Sequence, residues 1–245
     1  MKLDVIVFSA HPDDAELGMG GSIVKFTKSG FKVGLVDLTQ GELGTRGTIQ
    51  TRKKEAEASS KILGVHLRKN LKFPDGKLKL KDEYVKKVIV EIRKYQPKII
   101  FAPHFNDRHP DHVGMGLIAK EAMFYSGLPK IKSYDRKNLQ QPYRPQKLFF
   151  FMQTYLFDPA FIVDISKTFE TKMKSIREFK TQFHVPGQKN DKEPETFISQ
   201  PRFIQYVEAR ARFYGFQIGK EFGEPFLCEE KIDFDFSTYL QGAMK

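Results

Sequence analysis

Residues 3–16 read Leu3-Asp4-Val5-Ile6-Val7-Phe8-Ser9-Ala10-His11-Pro12-Asp13-Asp14-Ala15-Glu16, an apolar run that stops in a histidine, a proline and two aspartates. A run that stays apolar instead of alternating is the pattern of a strand buried on both faces, as in the interior of a parallel sheet. The pattern recurs at Lys98-Ile99-Ile100-Phe101-Ala102-Pro103, which leads into His109-Pro110-Asp111-His112. Both histidine-aspartate phrases therefore follow the carboxyl end of a strand. In an open α/β sheet those ends share one edge, and ligands bind in the crevice outside it.

Outward from these two strands the chain alternates strand and helix patterns. Residues 33–39, 65–71, 147–152 and 160–165 read as further strands, and residues 48–63, 81–95, 114–125, 167–183 and 200–214 as helices. Gly64 stops the first of these helices, and the second ends before Pro97 because the residue preceding a proline is driven out of the helical region. Gly18, Gly20 and Gly21 precede a helix over residues 23–28 that closes near Gly30. They have two readings, a phosphate cradle or close packing of helix on sheet, and the absence of a dinucleotide fingerprint favours packing. Residues 185–195, rich in Pro, Gly, Lys and Asp, read as a mobile loop or lid. The fold class expected is α/β, a Rossmann-like single domain over residues 1–245 with a mostly parallel sheet flanked by helices.

Composition narrows the function classes. No apolar stretch approaches the roughly 18 residues of a spanning helix, so no membrane association is expected. The first residues enter a strand with no signal-peptide pattern, and the single Cys228 cannot form an intramolecular disulfide; both point to the cytoplasm. The net charge of +11 comes from Lys and Arg interleaved with Asp and Glu. That distribution reads as a solvated surface or as steering of an anionic small substrate, and no nucleic-acid reader module accompanies it.

The chemistry lies in the two phrases. His11 and Asp14 can face one ion if the turn after the strand curls, and His112 supplies a third ligand from the second loop. Two imidazoles and one carboxylate leave positions open for water and a substrate oxygen, a set that suits zinc; iron(II) stays open as the metal used in the cell. Asp13, beside a ligand but pointing elsewhere, is the candidate general base. His109 suits oxyanion stabilisation or proton donation, and Asp111 suits orientation of an imidazole through its second nitrogen. Glu42, Arg46 and Arg52 are candidates for substrate binding. Glu16 reads equally as a site carboxylate or as a first-turn acid favoured by the helix dipole. His66, His104 and His184 read as structural. Two histidines and a carboxylate also describe the facial triad of iron(II) oxygenases, the leading rival reading.

Ala10-His11-Pro12-Asp13-Asp14-Ala15-Glu16 with His109-Pro110-Asp111-His112, together with residues 41–47 and 208–215, resembles the PIG-L (LmbE-like) N-acetylglucosaminyl deacetylases, and most of all their bacillithiol-biosynthesis branch. The resemblance implies a Rossmann-like fold and zinc on His11, Asp14 and His112. It implies Asp13 as base, His109 oriented by Asp111, and Arg52 on the substrate. It further implies hydrolysis of a sugar N-acetyl group, N-acetylglucosaminyl-malate in that branch, by a homo-oligomer, there a hexamer; free N-acetylglucosamine or a chitooligosaccharide, which presents the same acetamide, is the alternative substrate. Asp107 stands where relatives acting on mycothiol precursors carry a tyrosine, so that phenol is missing here.

Overall fold

The computed structural model describes residues 1–185 and 193–233. The elements in chain order are β1 (Val5–Ser9), α1 (Asp14–Lys28), β2 (Val33–Thr39), α2 (Ile49–Leu63), β3 (Leu67–Phe73), α3 (Asp82–Tyr95), β4 (Ile99–Pro103) and α4 (Pro110–Ser126). They continue with β5 (Tyr134–Asp135), β6 (Asn138–Leu139), β7 (Lys147–Phe151), β8 (Phe161–Asp164), α5 (Phe169–Arg177), α6 (Pro201–Gln217) and β9 (Gly223–Leu227). The main sheet has seven strands in the order β3-β2-β1-β4-β7-β9-β8, and β5 pairs with β6 in a separate ribbon. From β3 to β7 every neighbour is parallel, while β9 runs antiparallel to both β7 and β8. This is the mostly parallel α/β sheet that the apolar runs predict.

Burial explains why β1 carries no alternation. Ile6 and Phe8 face one apolar cluster with α3 and α4, Val5 and Val7 face another with α1, and all five residues of β1 are buried. Helix α3 keeps its apolar face at Tyr84, Val85, Val88, Ile89, Ile92 and Tyr95, the spacing of one helical stripe. It ends with Gln96 in the left-handed region just before Pro97. Thr48 and Thr51 form a capping box at the start of α2, and Gly64 closes it with φ 69°. A third cluster joins α2, α5 and α6 through Ala56, Phe169, Ile176, Val207 and Ala211.

Several elements differ from the sequence-based expectation, among them α4, which starts at Pro110 instead of residue 114 and so carries Asp111 and His112 in its first turn. Helix α1 begins at Asp14 and absorbs the glycine segment, with a kink at Met19 (φ −148°, ψ 23°). A Cβ on Gly18 would lie 2.2 Å from the Phe151 ring, and one on Gly21 would lie 2.8 Å from Ile165, so the glycines serve close packing. The kink also frees backbone donors: Gly21 N–H and Ser22 N–H donate to the buried Glu224 carboxylate at 2.9 and 2.7 Å, which Lys172 Nζ neutralises from 2.6 Å. The anion these glycines hold thus belongs to the protein. Helix α5 stops at Arg177 instead of running to residue 183. The Gly-punctuated tail contains β9, whose short antiparallel pairing with β7 and β8 has no long apolar run to announce it. The expected lid falls largely on residues 186–192, outside the described residues. Among the described residues no helix is long and apolar enough to cross a membrane.

Candidate metal-binding active site

The order of the strands decides where a site can form. The chain leaves β1 toward β2 and β3 on one side, then returns to place β4 and β7 on the other. Beyond the carboxyl ends of β1 and β4 the connections diverge and leave a crevice, the switch point of a doubly wound sheet. His11 leaves β1 and His109 follows β4 into this crevice.

Local structure sets each side chain. His11 N–H donates to Asp14 Oδ2 at 2.8 Å, which curls the turn so that ring and carboxylate face the same space. His109 is the N-cap of α4; its Nδ1 accepts from Asp111 N–H at 3.1 Å, and Pro110 occupies the first turn. This puts His112 one turn further on the same end of the helix. His112 Nε2 lies 3.1 Å from Asp14 Oδ1, His11 Nδ1 lies 3.6 Å from Asp14 Oδ2, and the two ring centres are 5.4 Å apart. The structure thus brings His11, Asp14 and His112 together from the turn after β1, the start of α1 and the first turn of α4, about a hundred residues apart in sequence. Nitrogens of His11, His109 and His112 also lie within 4.8 Å of one another.

The outer nitrogens of both imidazoles meet carboxylates. His112 Nδ1 is 2.8 Å from Asp107 Oδ1, and His11 Nε2 is 3.2 Å from Asp75 Oδ1. A proton held on the outer nitrogen leaves the inner nitrogen with a lone pair turned toward Asp14, the arrangement that supports imidazole ligands to a metal. The local field agrees. Burial opposes charge on His112, yet Asp14 and Asp107 outweigh it and push the imidazole up to about 9. His11 is likewise raised despite burial, by Asp14, Asp111 and Asp75. Burial would raise Asp14, but His112 and His11 hold its carboxyl well below the usual range. The carboxylates that hold protons on these rings would also attract a divalent ion, which binds the neutral imidazoles as those protons leave. The donor set fits a metal.

A second group, His11, Asp75 and Asp111, also has ligand atoms within 4.8 Å of one another. Its oxygens are already engaged. Leu43 N–H and Gly76 N–H donate to Asp75, and Gly76 N–H and Leu78 N–H donate to Asp111. Those amides turn positive ends inward, so this cluster is a hydrogen-bonded support and no cation cage.

Asp13 is the N-cap of α1, yet its side chain makes no capping bond. Its Oδ2 lies 3.1 Å from Arg52 Nη2, and both residues are buried. Burial, with the nearby Asp14 and Glu16, raises the Asp13 carboxyl against the pull of Arg52 and His11. Arg52 is pinned from above: a Cβ on Gly41 would come within 3.1 Å of its guanidinium. A carboxylate relieved of capping and held near His11 and Asp14 is available for proton transfer.

A cleft of about 760 Å³ opens over this floor of His11, Asp13, Asp14, His109 and His112. Leu43, Leu156, Phe197, Tyr206 and Phe213 form much of its wall, with Arg52 and Arg108 among the cations that reach it. Arg108 lies over the Phe197 ring at 5.1 Å, and Arg210 donates to the carbonyls of Gln153 and Leu17.

Several expected roles do not match this geometry. The Asp111 carboxylate does not face His109; only its backbone N–H does, and the carboxylate turns to Gly76, Leu78 and, at 3.5 Å, His11 Nε2. Glu42 turns to backbone amides, accepting from Gln40 N–H in its own loop and from Asp75 N–H after β3. Arg46 lies 3.6 Å from Glu193 and is absent from the cleft wall. Glu16 sits behind the site, bonded to Ser59 and to Arg68, which also grips Asp37. His104 bonds the Asn106 carbonyl and packs on Phe105, as a structural histidine does. The reading missed Asp75, because Pro74-Asp75-Gly76 has the composition of an ordinary turn; its position after the end of β3 was the available signal. Asp107, noted only for the tyrosine it replaces, bonds His112, His109 N–H, Thr154 N–H and Tyr155 N–H.

Comparison with known proteins accords with this site. The PIG-L family model, GlcNAc-PI de-N-acetylase, matches residues 6–123. Diacetylchitobiose deacetylase of Thermococcus kodakarensis is 34% identical over 189 residues, covering 73% of this chain and 70% of that protein. The conserved protein TT1542 of Thermus thermophilus superimposes with a TM-score of 0.85 at 33% identity, covering 95% of this chain and 97% of the other. The N,N'-diacetylchitobiose deacetylase of Pyrococcus horikoshii, solved with its inhibitor MPG, gives a TM-score of 0.77 at 30% identity, covering 91% and 82%. A metal-ready cluster at the switch point and likeness over most of the chain lead to one assignment: this protein belongs to the PIG-L family and is a deacetylase, a hydrolase of C–N amide bonds.

Proposed function

We propose that this enzyme removes acetate from the N-acetylglucosamine unit of a short oligosaccharide of the diacetylchitobiose type, using zinc held by His11, Asp14 and His112. The observation that carries the reading is the convergence of those three side chains at the switch point with the Asp13 carboxylate beside them. The metal, zinc or iron(II) in the cell, would supply a Lewis acid and a water acidic enough to deprotonate near neutral pH.

The chain's own residues supply the rest. Asp13 accepts the proton of the attacking water, whose oxygen bonds to the acetyl carbon. His109 accepts Asp111 N–H on Nδ1, so a neutral ring carries its proton on Nε2. Burial above all lowers its basicity. It therefore acts as a hydrogen-bond donor to the oxygen on which negative charge grows. The C–N bond then breaks, Asp13 returns its proton to the departing sugar nitrogen, and acetate leaves. The role of Asp111 in this scheme is to seat His109 through its backbone.

The cleft wall supports this choice of sugar. A malate conjugate, the substrate that resemblance to the bacillithiol branch implies, brings two carboxylates that call for uncommitted cations. Arg52 is paired with Asp13, Arg46 approaches Glu193 and Arg210 donates to backbone carbonyls, which leaves Arg108, stacked on Phe197, to face two carboxylates. Aromatic side chains such as Tyr206 and Phe213 instead offer faces for the apolar side of a second sugar ring. Two deacetylases similar to this chain, those of Thermococcus kodakarensis and Pyrococcus horikoshii, are named for diacetylchitobiose. A cytoplasmic site of action accords with the single free Cys228.

The test is acetate release by zinc-loaded enzyme from diacetylchitobiose, N-acetylglucosamine and N-acetylglucosaminyl-malate. The disaccharide is expected to give the highest kcat/KM. A tenfold preference for the malate conjugate would replace the sugar assignment, and release from none of them would remove the reading.

A further inference from the structure

We infer that Asp75 is a positioning residue that ties His11 to the loop spanning residues 40–47, so that metal retention and the cleft wall at Leu43 depend on one carboxylate. The inference rests on the reading of His11 as a metal ligand. Asp75 is buried and follows β3, whereas His11 follows β1 and the loop follows β2, so three neighbouring strand ends meet at this side chain.

Its contacts divide between the two ends. Oδ1 lies 3.2 Å from His11 Nε2 and accepts Gly76 N–H at 2.9 Å, while Oδ2 accepts Leu43 N–H at 2.8 Å. The backbone N–H of Asp75 donates to Glu42 Oε1 at 2.8 Å, and Glu42 Oε2 accepts Gln40 N–H at 3.2 Å, which straps the loop a second time. Leu43 itself lies over Gly76, where an added Cβ would come within 2.8 Å of its Cδ1. Asp111 is the weaker candidate for the same task, because its nearest oxygen is 3.5 Å from His11 Nε2 and is taken by Gly76 N–H at 2.7 Å. An ionised carboxylate accepts from all three donors at once. It draws the His11 proton to Nε2 and leaves Nδ1 toward Asp14.

An amide cannot replace it. In Asp75→Asn the amino group must face either His11 or Gly76 on one side or Leu43 N–H on the other, opposing a donor with a donor. Zinc affinity, measured by competition with a chromogenic chelator and without reference to turnover, is expected to weaken 10–100-fold in Asp75→Asn and Asp75→Ala. Hydrogen exchange at the amides of residues 41–44 is expected to accelerate in the same variants, and KM to rise along with the loss of zinc. A further arm needs no variant: stripping zinc from the wild-type protein should accelerate exchange at Leu43.

Zinc affinity unchanged in a folded Asp75→Asn protein, or a lower melting temperature with zinc affinity intact, would overturn the inference and leave the deacetylase reading standing. Exchange at residues 41–44 indifferent to zinc in the wild type would overturn the coupling of ring and loop. A wild-type chain that takes up no zinc would overturn the inference together with the metal reading beneath it.

Discussion

Arg52 Nη2 lies 3.1 Å from Asp13 Oδ2 in a buried ion pair that joins the first turns of α2 to the N-cap of α1. The pair opposes burial in setting the basicity of the carboxylate proposed to move the proton. Arg52 therefore has a task at the proposed general base apart from any contact with sugar.

Replacing Asp13 by Ala should retain zinc and reduce kcat by about 10²- to 10⁴-fold, the span of a lost general base. Replacing Arg52 by Ala removes the cation that lowers the Asp13 carboxyl, so Asp13 ionises only at higher pH. The acidic limb of the kcat/KM profile is then expected to move to higher pH. A profile that keeps its acidic limb in Arg52→Ala would separate Arg52 from the base.

His109→Ala removes a hydrogen bond that strengthens only as charge develops on the acetyl oxygen. A fall in kcat of about 10²- to 10³-fold is expected, with KM and zinc content close to those of the wild type. Steady-state kinetics with metal analysis checks this, and a change confined to KM would assign His109 to ground-state binding instead.

Acid should destabilise the metal-free protein through two carboxylates. Burial raises both, but His112, Thr154 N–H and His109 N–H hold Asp107 at about 2, and His11, Leu43 N–H and Gly76 N–H hold Asp75 at about 2. Both start from 3.8 when unperturbed, so the folded state binds these protons less tightly than the unfolded chain. Their stabilisation is complete above that value and is lost as pH falls toward 2. Asp37 has the opposite sign: burial beside Glu16 and Asp14 keeps it at about 6 in spite of Arg68, so it lowers stability as pH rises from 3.8 to 6. Melting temperatures across pH 2–7 should show a flatter acid slope in Asp107→Asn and a flatter rise-side loss in Asp37→Asn.

Tyr206 and Phe213 line the cleft but remain about half exposed, at 53% and 55%. A second sugar covering them would bury apolar ring faces at roughly 25 cal/mol per Å². Tyr206→Ala with Phe213→Ala is expected to raise KM several-fold for diacetylchitobiose and leave KM for N-acetylglucosamine nearly unchanged. Equal effects on both substrates would move the second sugar elsewhere.

Much of this was legible from local signals. The buried runs of β1 and β4, the Thr48 cap and Gly64 stop of α2, and the Pro97 boundary of α3 are short-range features, and the structure has each where its residues lead. Helix α1 and β9 were harder. The Met19 kink is held by Glu224, 205 positions further along, and β9 draws its pairing from β7 and β8 instead of from its own apolar content.

By itself the sequence determined a mostly parallel α/β sheet and two histidine-aspartate phrases at strand ends, because hydrophobic continuity, caps and turn residues act over a few neighbours. Only the tertiary structure decided which groups meet. Strand order put β1 between β2 and β4, and so brought Asp75 and the Asp111 carboxylate to His11 and Arg52 to Asp13 while turning Glu42 and Arg46 away. Such pairings depend on distances across loops that no local pattern records, and it is there that the chemistry of the site is set.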